Sequence, residues 1–291
     1  MQTAVKTHSP VSEDRFVTVD GVRLRYVEAG HGPALVFLHG GSLGSSADVF
    51  LRNLPAFAAA GFRAIAFDQP GFGLSDALAD HSASSRRASI PAFLRALALE
   101  SPAVIAHSQA GGLAVRLALA QPDLFSRLVI LGTGSLLPER TRVEDKGAQA
   151  QQRLERRMAA KEPTLDETRK LLEANLYHHE LITETELALR HARSIGPCFE
   201  AFVARNALTG ASQKAEKPAE PIWRKLREIR APMLMIYGRN DRAQAAERVE
   251  ALQALEPALD LHLVDNCKHL VPWDAQAAFE RMTLAFLNRG A

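Results

Sequence analysis

The chain has 291 residues, 47% of them hydrophobic and 23% charged, with 35 basic against 33 acidic side chains. A net charge of +2 without a long basic run argues against nucleic acid and against a membrane surface as partner. Two cysteines, Cys198 and Cys267, make no disulfide framework, the first ten residues lack the apolar stretch of a signal peptide, and no run approaches the ~20 apolar residues of a spanning helix. These features predict a soluble, cytoplasmic protein of one or two domains.

A hairpin opens the chain. Alternating β-formers at 16–19 and 22–27 flank Asp20-Gly21, the strongest short hairpin signal. Apolar runs at 34–38, 64–67, 103–106, 128–131 and 233–237 read as strands buried on both faces, and the more alternating 261–264 reads as a strand near an edge. Ala- and Leu-rich stretches of helical length lie between them, at about 47–60, 86–99, 111–121, 244–255 and 273–288. Strand and helix in alternation predict the α/β class, a mostly parallel central sheet covered by helices.

One region breaks the alternation. Half of residues 139–170 are charged, and no strand-like run follows until Met233. Residues 153–158 and 171–176 carry helical periodicity, so 138–225 reads as a helical insertion that interrupts a core of 1–137 and 226–291. A charged linker is the alternative and fits 211–221.

The strand 103–106 runs into His107-Ser108-Gln109-Ala110-Gly111-Gly112 and then into a helix. A serine at such a sharp turn stands above the sheet with its hydroxyl exposed, provided small residues occupy the positions two before and two after it. Ala106 and Ala110 meet that requirement, although the pattern is A-x-S-x-A and not G-x-S-x-G. The simpler reading is a helix-capping serine.

A nucleophilic serine needs a base held by an acid. Asp241 follows the strand 233–237, and His269 follows the strand 261–264, in the order serine, acid, base. His8, His31, His81 and His262 read as ordinary imidazoles, and His107 as a poor base because neighbouring side chains on a strand face opposite ways. The turn His39-Gly40-Gly41-Ser42 follows the strand 34–38, so the amides of Gly41 and Gln109 are the candidate oxyanion hole. No H-E-x-x-H or P-loop occurs and His178-His179 is isolated, so no metal or nucleotide cofactor is expected.

Taken together these elements resemble the α/β-hydrolase family from about Phe16 to Leu287, and 68–76 is similar to its D-x-x-G-x-G-x-S turn. The resemblance implies that 138–225 is a lid. Within the family the chain resembles the meta-cleavage-product hydrolases, which cut a carbon–carbon bond in vinylogous 1,5-diketones. That resemblance rests on Gly238-Arg239-Asn240-Asp241-Arg242, on Cys267-Lys268-His269 followed by Trp273-Asp274, and on Ile182-Thr183-Glu184 leading to Arg190.

It implies a small-molecule substrate, with Arg190 on its carboxylate or enolate, Trp223 lining the acyl pocket and Ser42 as a further substrate-binding candidate. Arg190 as a solvated helix charge and Trp223 as a lid-core residue are the alternatives. Lys268, Leu270, Gln109 and the 40–43 loop depart from that subfamily's pattern. Acyl hydrolysis of an ester or lactone, a slow-turnover binding module, and a cofactor-free oxygenase or haloperoxidase are the competing functions. Self-association into a homo-oligomer stays open.

Overall fold

The computed structural model describes residues 13–140, 153, 157–158, 160–208 and 220–289. The hairpin is β1 (Arg15–Val19) and β2 (Val22–Ala29), joined by Asp20 at φ 48° and Gly21 at φ 82°. Two consecutive positive φ values match the twist of the paired strands, which is why an Asp-Gly pair sits there.

The remaining strands are β3 (Ala34–Leu38), β4 (Arg63–Phe67), β5 (Ala103–His107), β6 (Arg127–Leu131), β7 (Met233–Gly238) and β8 (Asp260–Val264). They form one eight-stranded sheet in the order β1-β2-β4-β3-β5-β6-β7-β8. β1 and β2 pair antiparallel, β2 meets β4 antiparallel, and every other pairing is parallel. The alternating strand β8 is at an edge.

Helices cover both faces. Val36, Leu38, Ile65, Val104, Ile130 and Met235 point into one apolar cluster with α2 (Ala83–Ala96) and α3 (Gln109–Ala120). Leu35, Phe37, Ala64, Ile105, Val129 and Ile236 point into another with α1 (Leu54–Ala59). Burial on two faces explains the continuous apolar runs, since neither parity of a strand meets water.

The helix expected at 47–60 is instead a 3-10 turn at Ala47–Phe50 followed by α1, with Pro55 in its first turn. The helix expected at 86–99 begins earlier, because the Ser82 hydroxyl caps it by accepting the Ser85 N–H.

Between β6 and β7 lie α4 (Leu165–Asn175), α5 (Glu184–Ala192) and α6 (Pro197–Ala207). Thr164 and Glu167 form a reciprocal capping box on α4, and Thr183 caps α5. The expected helix at 171–176 falls within α4 but for its last residue, whereas 211–219 and residues 154–156 of the expected helix at 153–158 lie outside the described residues. After β7 come α7 (Ala245–Leu255), α8 (Val271–Asp274) and α9 (Gln276–Leu287). Among the described residues no helix is long and apolar enough to cross a membrane.

Candidate active site

Gly41, Ser42, Ser108, Gln109, Asp241 and His269 stand at the carboxyl ends of β3, β5, β7 and β8, where open parallel sheets place their sites. Ser108 follows β5 with φ 56° and ψ −122°, a backbone state that an L-residue holds at a cost of about 1–3 kcal/mol. Three bonds hold it there. Its N–H donates to the Leu131 carbonyl at 2.7 Å, and its carbonyl accepts the Thr133 hydroxyl at 2.8 Å and the Gly111 N–H at 3.1 Å. A methyl group at Gly111 would overlap Thr133 Oγ1, so glycine is what lets the helix approach β6.

His269 and Asp241 reach this serine from the late loops. His269 Nε2 lies 2.8 Å from Ser108 Oγ, and His269 Nδ1 lies 2.8 Å from Asp241 Oδ2. The second carboxylate oxygen, Oδ1, accepts the Arg242 N–H at 2.8 Å. With Nδ1 donating to Asp241, Nε2 is left as the acceptor for the serine hydroxyl. Burial pushes the Asp241 carboxyl up, but the charge and hydrogen bond of His269 outweigh it and hold the group below its ordinary value. The loop of His269 packs onto Gly238, where a Cβ would overlap the carbonyl oxygens of Lys268 and Cys267.

Several supporting residues gave no signal in the sequence. His107 lies behind His269, as its strand parity requires, and its Nε2 donates to the His269 carbonyl at 2.9 Å. Burial, then the neighbouring His269, pushes His107 down to about 3, so this imidazole is neutral at pH 7. Asp274 accepts the Lys268 N–H at 2.8 Å, and also the N–H groups of Tyr177 and His178, tying the His269 loop to the segment after α4. Asn175, the last residue of α4, accepts Arg242 Nη1 on its side-chain oxygen at 2.6 Å and the Leu270 N–H on its carbonyl at 3.0 Å. Only the Trp273-Asp274 pair within the resemblance pointed toward any of these.

The glycine loop after β3 lies against the serine: a Cβ at Gly40 would stand 3.1 Å from Ser108 Cβ. His39 holds this loop, with Nδ1 donating to the Gly40 carbonyl at 2.7 Å and Nε2 accepting the Gln69 N–H at 3.0 Å. Burial, aided by the charges of Arg190, Arg205 and Arg86, pushes His39 down to about 3.

Arg190 of α5 turns inward and donates from Nη2 to Ser42 Oγ at 2.9 Å. The residue is half-buried, burial of its guanidinium lowers that group to about 10, and its buried Nε–H has no hydrogen-bond partner among the described residues.

Two cavities meet at Ser108 and His269. One, bounded by Arg190, Ser42, Asn175 and Leu270, has room of about 10 Å³, enough for about one water. The other, about 330 Å³, is lined by Thr133, Ser135, Leu137, Tyr237, Arg242 and Arg248. Trp223 borders neither of these two cavities. It is buried beside Ile222 and Leu226 in the sheet's apolar cluster, where so large a ring gains most from burial.

The sequence profile of the alpha/beta hydrolase fold family matches residues 33–276. A 2-hydroxy-6-oxononadienedioate/2-hydroxy-6-oxononatrienedioate hydrolase of Burkholderia vietnamiensis is 33% identical, over 99% of this chain and 99% of its own. A 2-hydroxy-6-oxo-6-phenylhexa-2,4-dienoate hydrolase of Delftia acidovorans is 30% identical, over 95% of this chain and 96% of its own. Among solved structures, a meta-cleavage product hydrolase of Pseudomonas fluorescens superposes with a TM-score of 0.77 at 24% identity, covering 95% of this chain and 98% of that one. This chain belongs to the alpha/beta hydrolase fold family.

Proposed function

We propose that the chain hydrolyses a carbon–carbon bond in a 2-hydroxy-6-oxo-hexa-2,4-dienoate, with Ser108 as nucleophile, His269 as base and Asp241 as its orienting acid. The observation that carries this reading is the continuous hydrogen-bond chain from Asp241 through His269 to Ser108 Oγ, both links 2.8 Å. Full-length relatives that cut dienoates of this type supply the substrate class.

A carbon leaves only if its electron pair is delocalised. The dienol therefore first ketonises: C5 gains a proton, the 2-hydroxyl loses one, and a 2,6-dioxo chain results. His269 then takes the Ser108 proton as Oγ attacks C6, and the amides of Gly41 and Gln109 receive the oxyanion. As the carbonyl re-forms, the C5–C6 bond breaks, its electron pair spreads through C3 and C4 to the C2 oxygen, and the departing dienolate takes the proton that His269 holds. Water, with His269 again as base, releases the acid from Ser108.

Arg190 and Ser42 receive the substrate's carboxylate, a planar anion suited to a guanidinium with an open Nε–H. Because room for about one water cannot hold that group, residues 138–225 act as a lid whose α5 shifts on binding. The acyl portion occupies the 330 Å³ cavity. The small-molecule substrate and the two cysteines without a disulfide framework fit work in the cytoplasm.

The test is to mix the protein with 2-hydroxy-6-oxo-6-phenylhexa-2,4-dienoate and follow loss of the coloured dienolate. Decay with release of benzoate is expected. No decay, beside fast cleavage of an aryl ester by the same preparation, would replace this reading with ester hydrolysis.

A further inference from the structure

Gln109 sits beside Ser108 with its side chain held as well as its backbone. The residue is exposed, yet its Oε1 accepts Arg86 Nη1 at 2.7 Å, and Arg86 on α2 is only 5% exposed. The carboxamide folds back over the glycine loop, so that a Cβ on Gly41 would overlap Oε1 and stand 2.9 Å from Cδ and 3.5 Å from Cβ of Gln109. The whole side chain thus rests on the α-carbon of Gly41. The bond to Arg86 fixes which end of the amide points where, since a guanidinium donates only and must face the oxygen.

One residue therefore touches both halves of the oxyanion pocket. The backbone N–H of Gln109 is one donor, and its side chain presses on the residue that supplies the other. Donors of this kind act because they are already aimed at the developing charge, so their mutual spacing matters more than their number. A flexible, exposed glutamine would not set that spacing, but one tied to a buried guanidinium does. Arg205 adds positive charge at the same corner: its guanidinium stacks 3.9 Å from the Phe72 ring centre and donates to the Gly71 carbonyl at 3.1 Å.

We propose that Arg86 is a positioning residue, acting through the Gln109 carboxamide on Gly41 to hold the two oxyanion-hole amides at their working separation. The inference rests on Ser108 being the nucleophile.

The experiment compares wild type, Arg86→Met, Arg86→Lys, Gln109→Leu and the Arg86→Met/Gln109→Leu pair. Each is assayed for kcat and KM on an aryl ester and for the rate of covalent capture by a fluorophosphonate, whose phosphoryl oxygen occupies the oxyanion position. Gln109→Leu, on an exposed residue, serves if Arg86→Met fails to fold. Arg86→Met and Gln109→Leu should each lower kcat and capture rate about ten- to a hundredfold, as small misplacements of catalytic groups do. KM should stay within about twofold of wild type, because the ground state does not use these donors. Arg86→Lys, which can still donate to Oε1, should recover part of the loss, and the double variant should be no worse than either single one.

An unchanged kcat in Gln109→Leu, or a loss from Arg86→Met that persists in full on the Gln109→Leu background, would overturn the proposal. Failure of wild type to be captured at Ser108 would instead remove the nucleophile assignment, and the positioning role with it.

Discussion

Asp241→Asn isolates the step on which the proposed chemistry depends. In the structure the two carboxylate oxygens have different duties: Oδ1 accepts the Arg242 N–H, and Oδ2 accepts His269 Nδ1–H, each at 2.8 Å. An asparagine cannot serve both. Its carbonyl oxygen takes the place facing the Arg242 amide, because that partner only donates. The NH₂ then faces His269, which must turn Nδ1 into an acceptor and carry its proton on Nε2. An imidazole in that tautomer cannot take the Ser108 proton, although its ring stays 2.8 Å away from the hydroxyl.

Loss of the correct tautomer in a triad costs about 10⁴ in kcat, about 5.5 kcal/mol at 1.36 kcal/mol per decade. KM should change little, and the melting temperature should remain within a few degrees because the substitution is isosteric. Initial rates on an aryl ester and on the phenyl dienoate, with thermal unfolding on the same preparation, give both numbers. A loss below about thirtyfold in a folded variant would show that Asp241 does not set the tautomer, and would refute the reasoning.

Acid should destabilise the protein through its buried histidines. His39 and His107 are pushed down to about 3 in the fold, below the ordinary histidine value of about 6.5. The unfolded chain therefore binds protons that the native state refuses, and stability present above about pH 6.5 is lost as pH falls toward 3, at about 1.4 kcal/mol per unit for each histidine. Urea unfolding at pH 7.5 and 5.0 should show His107→Asn losing about 2 kcal/mol less than wild type, and an equal loss in both would rule this out. Gly238→Ala should lower kcat at least tenfold, because the new methyl group drives into the backbone of Cys267 and Lys268 and displaces His269; wild-type kinetics in this variant would contradict the packing argument. Arg190→Met should raise KM for the dienoate about 10–100-fold, the worth of a charged hydrogen bond, and raise it far less for a neutral aryl ester. Equal effects on both substrates would assign Arg190 to the lid's structure and not to the carboxylate.

The strands were legible because burial on both faces writes itself as an uninterrupted apolar run, as in β5 from Ala103 to Ile105. Ser108 was legible through the small residues its strained backbone demands, and Asp241 and His269 because they leave β7 and β8 at the carboxyl edge. What supports them was not. The His107 bond to the His269 carbonyl spans 162 positions, and the Asp274 bond to the Tyr177 N–H spans 97. No local pattern encodes contacts that exist only once the sheet has ordered the loops. Trp223 is likewise illegible locally: its apolar area is buried in the core beside Ile222 and Leu226, a placement no nearby residue announces.

Capture of the intact protein by a fluorophosphonate, followed by mapping of the modified peptide, tests the assignment of Ser108 most directly. One adduct per chain, on Ser108, is the predicted result, with Asp241→Asn capturing far more slowly. No adduct in folded wild-type protein, or an adduct on another serine while Ser108 stays unmodified, would contradict it.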